Sequence, residues 1–341
     1  AAPPGPLTAL AAGLAVVYGL GAELRRSLYF NEILLPKHLP ARVVSVGNLA
    51  VGGAGKTPVT ACLTRLLQAE GQKVAILSRG YGGQRPGVTC ISDGRNIYYK
   101  PPQVGEEAYW LARSLPGAAV YTGASRYEAG QIAWEQFKPD LFLLDDGFQH
   151  FQLHRDLDIV LLDAAAPFGN GHLLPRGPLR EPQAALTAAQ VLILTRFQAG
   201  RDQRTLTDLE ATYPEKPVLT AAIEASAARL FPEGRLETPA ALQGQALLAF
   251  AGLARPQVFR QTLEGLGVRL TGFRTFPDHH PFSPAELPAL VREAGAAGAA
   301  ALVTTAKDWV RLGETWNAAL PLWVVDVEAQ IDQPERILEF L

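Results

Sequence analysis

The sequence predicts an α/β chain built on a mostly parallel sheet, followed by a second, smaller α/β unit. Three observations carry that reading. Apolar runs of strand length recur between helical patterns at Val43–Val46, Val74–Leu77, Ala119–Thr122, Leu141–Leu144, Ile159–Leu162 and Val191–Leu194. The first runs into a Gly-rich turn and then an apolar-periodic segment, VVSVGNLAVGGAGKTPVTACL at 43–63. Another, Leu141–Leu144, ends in the acidic pair Asp145-Asp146. Ligands on such sheets bind beyond the carboxyl ends of the strands. The Gly-rich turn, Ser78-Arg79-Gly80 and Asp145-Asp146-Gly147 all fall there.

From the N-terminus, Ala1 to Ala22 carries no charge, and Leu7, Leu10, Leu14, Val17, Gly21, Leu24 and Leu28 recur at helical spacing before and across Arg25-Arg26. No basic segment precedes the run, which argues against a signal peptide. It is rich in Ala and Gly, a poor composition for spanning a bilayer. Two readings stand: a helix on the domain core, or a helix in a membrane interface with its apolar face down. Residues 31–215 then form the larger unit. At 216–243 two short strand-like pieces flank Pro232-Glu233-Gly234, which is turn chemistry, and read as a hairpin-like connector. The smaller unit, 244–341, has strand signals at Ala246–Phe250, Val268–Phe273, Ala301–Thr304 and Leu322–Val327, with helices at 256–266 and 284–297.

Composition narrows the function classes. A chain of 341 residues suggests about two domains. With 48% hydrophobic and 19% charged residues it has material for packed cores. A net charge of −2 gives no basic field for nucleic acid. Cys62 and Cys90 make neither a disulfide scaffold nor a metal cluster, and a reducing cytoplasm is the simpler home. No obligate protein partner is evident.

The turn at 50–57 reads A-x-x-x-x-G-K-T between a strand and a helix, the context of a phosphate-binding P-loop. Gly52, Gly53, Ala54 and Gly55 would turn backbone N–H groups onto phosphate oxygens. Lys56 would reach the β/γ-phosphates of a nucleotide and Thr57 would ligate Mg²⁺. Pro58 falls in the first helical turn, where its missing N–H does little harm. Asp145 and Asp146 have the form of a Walker-B element facing that Thr across the metal. An N-cap and a loop charge are the plainer alternative. His150 and His154 stand i, i+4 near Asp156 and Asp158, but without a further ligand cluster the zinc signal is weak, and structural or substrate-side histidines fit better. Glu106 and Glu107 open a helix-like run as dipole-complementing acids. His279 and His280 lie in a loop. Arg79, Arg126, Arg176 and Arg180 lie near Gly or Pro in loops and suit anion contacts.

Several stretches together resemble the tetraacyldisaccharide 4′-kinase family of Gram-negative envelopes. They are Ser45-Val46-Gly47-Asn48-Leu49 running into GGAGKTP, Leu77-Ser78-Arg79-Gly80-Tyr81, Ile91-Ser92-Asp93-Gly94 and Leu144-Asp145-Asp146-Gly147-Phe148-Gln149-His150. Leu153-His154-Arg155-Asp156, Leu174-Pro175, Leu179-Arg180-Glu181-Pro182, Phe276-Pro277-Asp278-His279 and Thr304-Thr305-Ala306-Lys307-Asp308 continue the match. The resemblance implies ATP- and Mg²⁺-dependent transfer of the γ-phosphoryl to the 4′-hydroxyl of a tetraacylated glucosamine disaccharide 1-phosphate, at the cytoplasmic face of the inner membrane. It implies two α/β/α units, the larger P-loop NTPase-like, joined by a two-stranded linker, with the N-terminal helix on the membrane surface. It carries catalytic roles to Lys56, Asp145, Asp146 and His279, and metal ligation to Thr57, Asp145, Asp146 and Glu107. It places Arg79, Arg126, His150 and Arg180 on the substrate side. The family's catalytic carboxylate is the Asp of Gly-Asp-Glu-Pro. Here that motif reads Gly105-Glu106-Glu107-Ala108, so the role maps to Glu106.

Two rivals remain at this stage. One is a nucleotide-switch GTPase or metallochaperone-type protein, although Thr195-Arg196-Phe197 and Ala306-Lys307-Asp308 lack the Asn-Lys-x-Asp of a guanine site. The other is a soluble small-molecule kinase.

Overall fold

A computed structural model describes residues 6–283 and 285–341 of the chain. It is a mixed α/β structure on one mostly parallel sheet. The first helix, α1 (Pro6–Phe30), precedes β1 (Arg42–Asn48), α2 (Lys56–Ala69), β2 (Val74–Ser78) and β3 (Thr89–Asp93). Then come α3 (Glu106–Ser114), β4 (Ala119–Thr122), α4 (Arg126–Phe137), β5 (Leu141–Asp145), β6 (Leu157–Asp163) and β7 (Val191–Thr195). After α5 (Gln203–Thr212), the long β8 (Val218–Phe231) turns into β9 (Arg235–Glu237). The rest is β10 (Ala246–Ala251), α6 (Pro256–Gly265), β11 (Arg269–Thr275), α7 (Glu286–Ala296), β12 (Ala301–Thr305), α8 (Ala306–Arg311), β13 (Leu322–Ile331) and α9 (Glu335–Leu338).

The central strands read as near-continuous apolar runs because helices cover both of their faces. Every residue of β5, β6 and β7 is buried, and in β1 all but Arg42. Their alternation sorts side chains to the two sides. Val44, Val46 and Leu143 pack with Leu63 and Leu67 of α2. Val43, Phe142 and Leu144 pack with Ala129 and Ala133 of α4. β1 lies between β5 and β6, in parallel register with both, so the loop after β1 opens beside the C-terminal end of β5.

The strand order is β11-β10-β12-β13-β8-β7-β6-β1-β5-β2-β4-β3, with β9 on the flank of β8. Two differences from the sequence reading stand out. β3 pairs antiparallel with β4 at an edge and gave little apolar signal. The expected hairpin of short strands exists as β8–β9, but β8 is fourteen residues long and its main partner is β13, antiparallel from Ala221↔Ile331 to Phe231↔Leu322. Local turn chemistry shows a hairpin; it carries no trace of a partner a hundred residues away. The chain beyond β13 returns to the first core, where Ile331 and Ile337 join Val44, Leu63 and Leu67.

α1 behaves differently from the other helices. Leu10, Leu14, Val17 and Leu24 of the expected apolar face are exposed, Val17 at 67%. Ala15 is buried, and Tyr18 donates its hydroxyl to the Arg180 carbonyl at 3.1 Å. Core packing therefore does not account for the apolar face. Residues 1–5 of the expected helix lie outside the described residues, as does the side chain of Leu7. No described helix is long and apolar enough to cross a membrane.

Because Ile337 is buried in the core under the P-loop strand, Ile337→Ala is expected to cost about 2–4 kcal/mol in urea unfolding. Leu236→Ala, at an exposed position, should stay within about 0.5 kcal/mol of the parent.

Candidate functional site

Between β1 and α2 the loop turns through Gly52 and Gly55, with φ of 101° and 77°. At Gly55 the positive φ favours glycine, while the nearest atom to an added Cβ, Ile223 Cδ1, is the movable end of a side chain. Thr195 Oγ1 donates to the Ala54 carbonyl at 2.9 Å and pins the loop to the end of β7. The amides of Gly53, Gly55, Lys56 and Thr57 donate to no other atom among the described residues. They surround the N-terminus of α2, which suits an anion. Pro58 follows in the first helical turn. Lys56 Nζ donates to Asn48 Oδ1 at 3.2 Å and lies 3.7 Å from Asp146 Oδ1.

The two acids after β5 have different surroundings. Asp145 is 4% exposed, and Thr60 Oγ1 meets it at 3.4 Å. Burial, and then the charge of Glu107, push its carboxyl up to about 7, against the pull of Lys56. Asp146, in a left-handed backbone conformation, is held below the usual carboxylate range. Burial opposes its ionisation, but the Arg180 hydrogen bonds and the charges of Lys56, Arg180 and Arg126 outweigh it. Arg180 grips Asp146 with both terminal nitrogens, at 3.1 and 2.8 Å, and also donates to the carbonyl and side chain of Asn48. Glu107 is also held low: burial opposes ionisation and Lys307, Lys56 and His279 overcome it.

α3 begins where the chain cannot stand off. A Cβ on Gly105 would come within 2.3 Å of the Tyr81 carbonyl oxygen. That close approach sets the Arg79-Gly80-Tyr81 loop against Glu106 and Glu107. Glu106 Oε2 accepts from Arg311 Nε at 2.7 Å and lies 3.1 Å from His279 Nδ1. The ring of His279 stands 6.1 Å from that of Tyr81. Lys307 pairs with Glu107. The structure thus brings Glu106 and His279 together, 173 residues apart in the chain, with Lys56 near enough to lower the proton affinity of both Asp145 and Glu107.

Of the four arginines, Arg126 is buried and donates to the carbonyls of Gly123 and Ala124, with Nε left without a partner. Burial and then Arg126, Arg155, Arg25 and Arg79 push the His150 imidazole down to about 4, so it is neutral in an electropositive basin. Arg180 is engaged with Asp146 and Asn48, and Arg176 is exposed. His154 stacks on His38 and faces Asp156 at 3.6 Å, and His280 pairs with Glu286. Among the described residues no group of three or more His, Cys, Asp and Glu side chains gathers as a metal site.

Sequence reasoning missed three participants. Asn48, at the end of β1, accepts from both Lys56 and Arg180. Asp163 ends β6 as Asp145 ends β5, and that repeated run of Leu-Leu-Asp could have revealed it; it binds Arg196 at 2.7 Å and also Arg255. Arg311 closes the short helix α8, where a basic residue in the last turn is ordinary, and so carries no local signal.

A family model described as tetraacyldisaccharide-1-P 4′-kinase, LpxK, matches residues 7–341. A tetraacyldisaccharide 4′-kinase of Anaeromyxobacter dehalogenans is 44% identical, covering 98% of this chain and 91% of the relative. One from Geobacter metallireducens is 40% identical, covering 96% of each chain. A crystal structure of the "apo" form of LpxK from Aquifex aeolicus in complex with ATP superposes with a TM-score of 0.78 at 30% identity over 98% of each chain.

Gly105→Ala is expected to push the first turn of α3 off the Tyr81 carbonyl and carry both glutamates with it. The folded variant should bind ATP as the parent does and turn over about 10–100-fold more slowly, read from nucleotide titration beside steady-state rates.

Proposed function

The chain belongs to the tetraacyldisaccharide 4′-kinase family, and from that premise we propose how its own residues carry phosphoryl transfer in lipid A biosynthesis. The observation that supports the assignment of roles most is the meeting of Glu106 with His279 beside the P-loop acids. Kinase membership also leaves the nucleotide-switch and small-molecule readings without support.

The free amides of Gly53, Gly55, Lys56 and Thr57 and the N-terminus of α2 hold the phosphates of ATP, and Lys56 turns from Asn48 onto the β/γ-oxygens. Mg²⁺ fits the site: Asp145 is a buried carboxylate with one long contact, Glu107 is a second carboxylate nearby, and Thr57 adds a hydroxyl, an all-oxygen set. Held by these residues, Mg²⁺ would supply positive charge to offset the charge on the transferring phosphoryl group. Asp146, held by Arg180, joins that set or keeps Lys56 oriented. The 4′-hydroxyl of the disaccharide gives its proton to Glu106 as its oxygen bonds to the γ-phosphorus. The bond to the β,γ-bridging oxygen breaks, and ADP leaves with the electron pair. His279 orients Glu106. Arg79, Arg126 and neutral His150 line a basin for the anionic headgroup.

We also take the chain as two hinged units with β8 and β13 as the two-stranded linker: 31–215, on whose core the expected tail of the smaller unit packs through Ile331 and Ile337, and 244–321. The outward apolar face of α1, followed by Arg25 and Arg26, supports a place on the cytoplasmic face of the inner membrane.

The test of the transfer is labelled ATP with the disaccharide 1-phosphate as acceptor. Glu106→Gln should lower kcat by about two to four orders of magnitude with ATP affinity nearly unchanged. Normal turnover would remove Glu106 from the role. For α1, replacing exposed Leu10, Val17 and Leu24 together by Glu should leave ATP binding intact and abolish cosedimentation with anionic vesicles. Undiminished sedimentation would end the membrane reading.

A further inference from the structure

We propose that Arg311 is a positioning residue for phosphoryl transfer: anchored on Asp308, it holds Glu106 and His279 to one point across the seam between the units. The inference rests on the reading of Glu106 as the base.

Arg311 is placed with little freedom. Its side chain is 3% exposed, although it lies on a short helix that faces the site. One terminal nitrogen donates to Asp308 Oδ1 at 2.9 Å and to the Gly252 carbonyl at 2.5 Å. Asp308 is itself fully buried. It accepts from Thr305 Oγ1 at 2.8 Å and from the Gly252 amide at 3.2 Å, and its own amide donates back to Thr305 Oγ1 at 3.2 Å, capping α8. The far end of the guanidinium is therefore fixed, and a planar fork fixed at one end presents its other edge in a set direction.

That other edge meets both members of the pair. Nε donates to Glu106 Oε2 at 2.7 Å, and the second terminal nitrogen lies 3.2 Å from His279 Nδ1. Arginine has donors only, so it attracts Nδ1 when that atom carries its lone pair and the imidazole proton sits on Nε2. An ionised Glu106 and such an Nδ1 are two acceptors 3.1 Å apart. They repel unless a donor is shared between them, and Arg311 supplies it. Once Glu106 takes the hydroxyl proton, its new O–H can donate to the waiting Nδ1. Arg311 itself takes no proton and acts through Glu106.

A structural role alone is separable, because removing Arg311 leaves a buried Asp308 charge without its partner. The experiment compares Arg311→Lys, Arg311→Gln and the double variant Arg311→Gln/Asp308→Asn, beside Glu106→Gln, by steady-state kinetics and thermal unfolding. Arg311→Gln should lose about 100-fold in kcat, with KM for ATP and for the disaccharide each within about threefold. Lysine keeps the charge without the fork and should regain no more than about a tenth of parent kcat. In the double variant, thermal stability should return while kcat stays low. A kcat that recovers together with stability would overturn the inference. So would an Arg311→Gln enzyme of normal kcat beside a slow Glu106→Gln, which leaves the base reading intact. A Glu106→Gln enzyme that turns over normally would remove the base and this inference with it.

Discussion

Three carboxylates, Asp145, Asp146 and Glu107, lie within charge reach of one P-loop lysine, Glu106 stands next to Glu107, and like charges at such a place must be neutralised one by one. Arg180 takes Asp146, Lys307 takes Glu107 and Arg311 takes Glu106. Among the described residues, no arginine or lysine pairs with the oxygens of Asp145, unlike the other three, and it is the most deeply buried of the four. Its raised proton affinity is the physical mark of that unmet charge. A divalent cation fits where the protein's own cations stop short. Each matching cation comes from a segment remote in sequence, so the site is assembled by the fold as a whole.

Two of those cations, Lys307 and Arg311, stand i, i+4 on α8, and both partners stand side by side in the first turn of α3. α3 falls in the proposed P-loop unit, and α8 follows β12 of the proposed smaller one. On the proposed two-unit reading, bringing the units together would neutralise both glutamates at once. On the proposed division, the connection between the units is β8 paired with β13, which carries a register shift between Asp326 and Val327. A narrow ribbon bends more readily than the wide sheets on either side, and here bending would part Glu106 from both His279 and Arg311.

What the sequence showed and what it hid divide along the same line. The central strands were legible because burial on both faces leaves an unbroken apolar run. The P-loop was legible because glycine spacing and Lys56-Thr57 answer to local backbone geometry. β13 as the partner of β8 was not, since strand pairing across a hundred residues leaves no mark in either strand. The separate roles of Glu106 and His279 came from resemblance; read alone, an acid in a first helical turn complements a dipole. Arg311 and Asn48 act by what they touch, and a residue known only by its neighbours in space has no signature along the chain. α1 shows the limit of periodicity: the apolar face was visible, but which way it would point was not.

Glu106 stands where the resembled motif has aspartate, and the surrounding geometry explains how the longer side chain is accommodated. Gly105 already packs against the Tyr81 carbonyl as closely as a residue without a Cβ can, so the backbone of α3 cannot advance toward its own loop. The extra methylene instead extends from the helix start toward the seam. There the carboxylate reaches a guanidinium whose far end is fixed by Asp308 and Gly252. A longer acid has more rotamers to lose, and a two-point donor edge is the means of holding it to one. On this view the acid and the arginine are matched parts: the length that lets Glu106 cross the seam is also what makes a fixed arginine on the far side necessary.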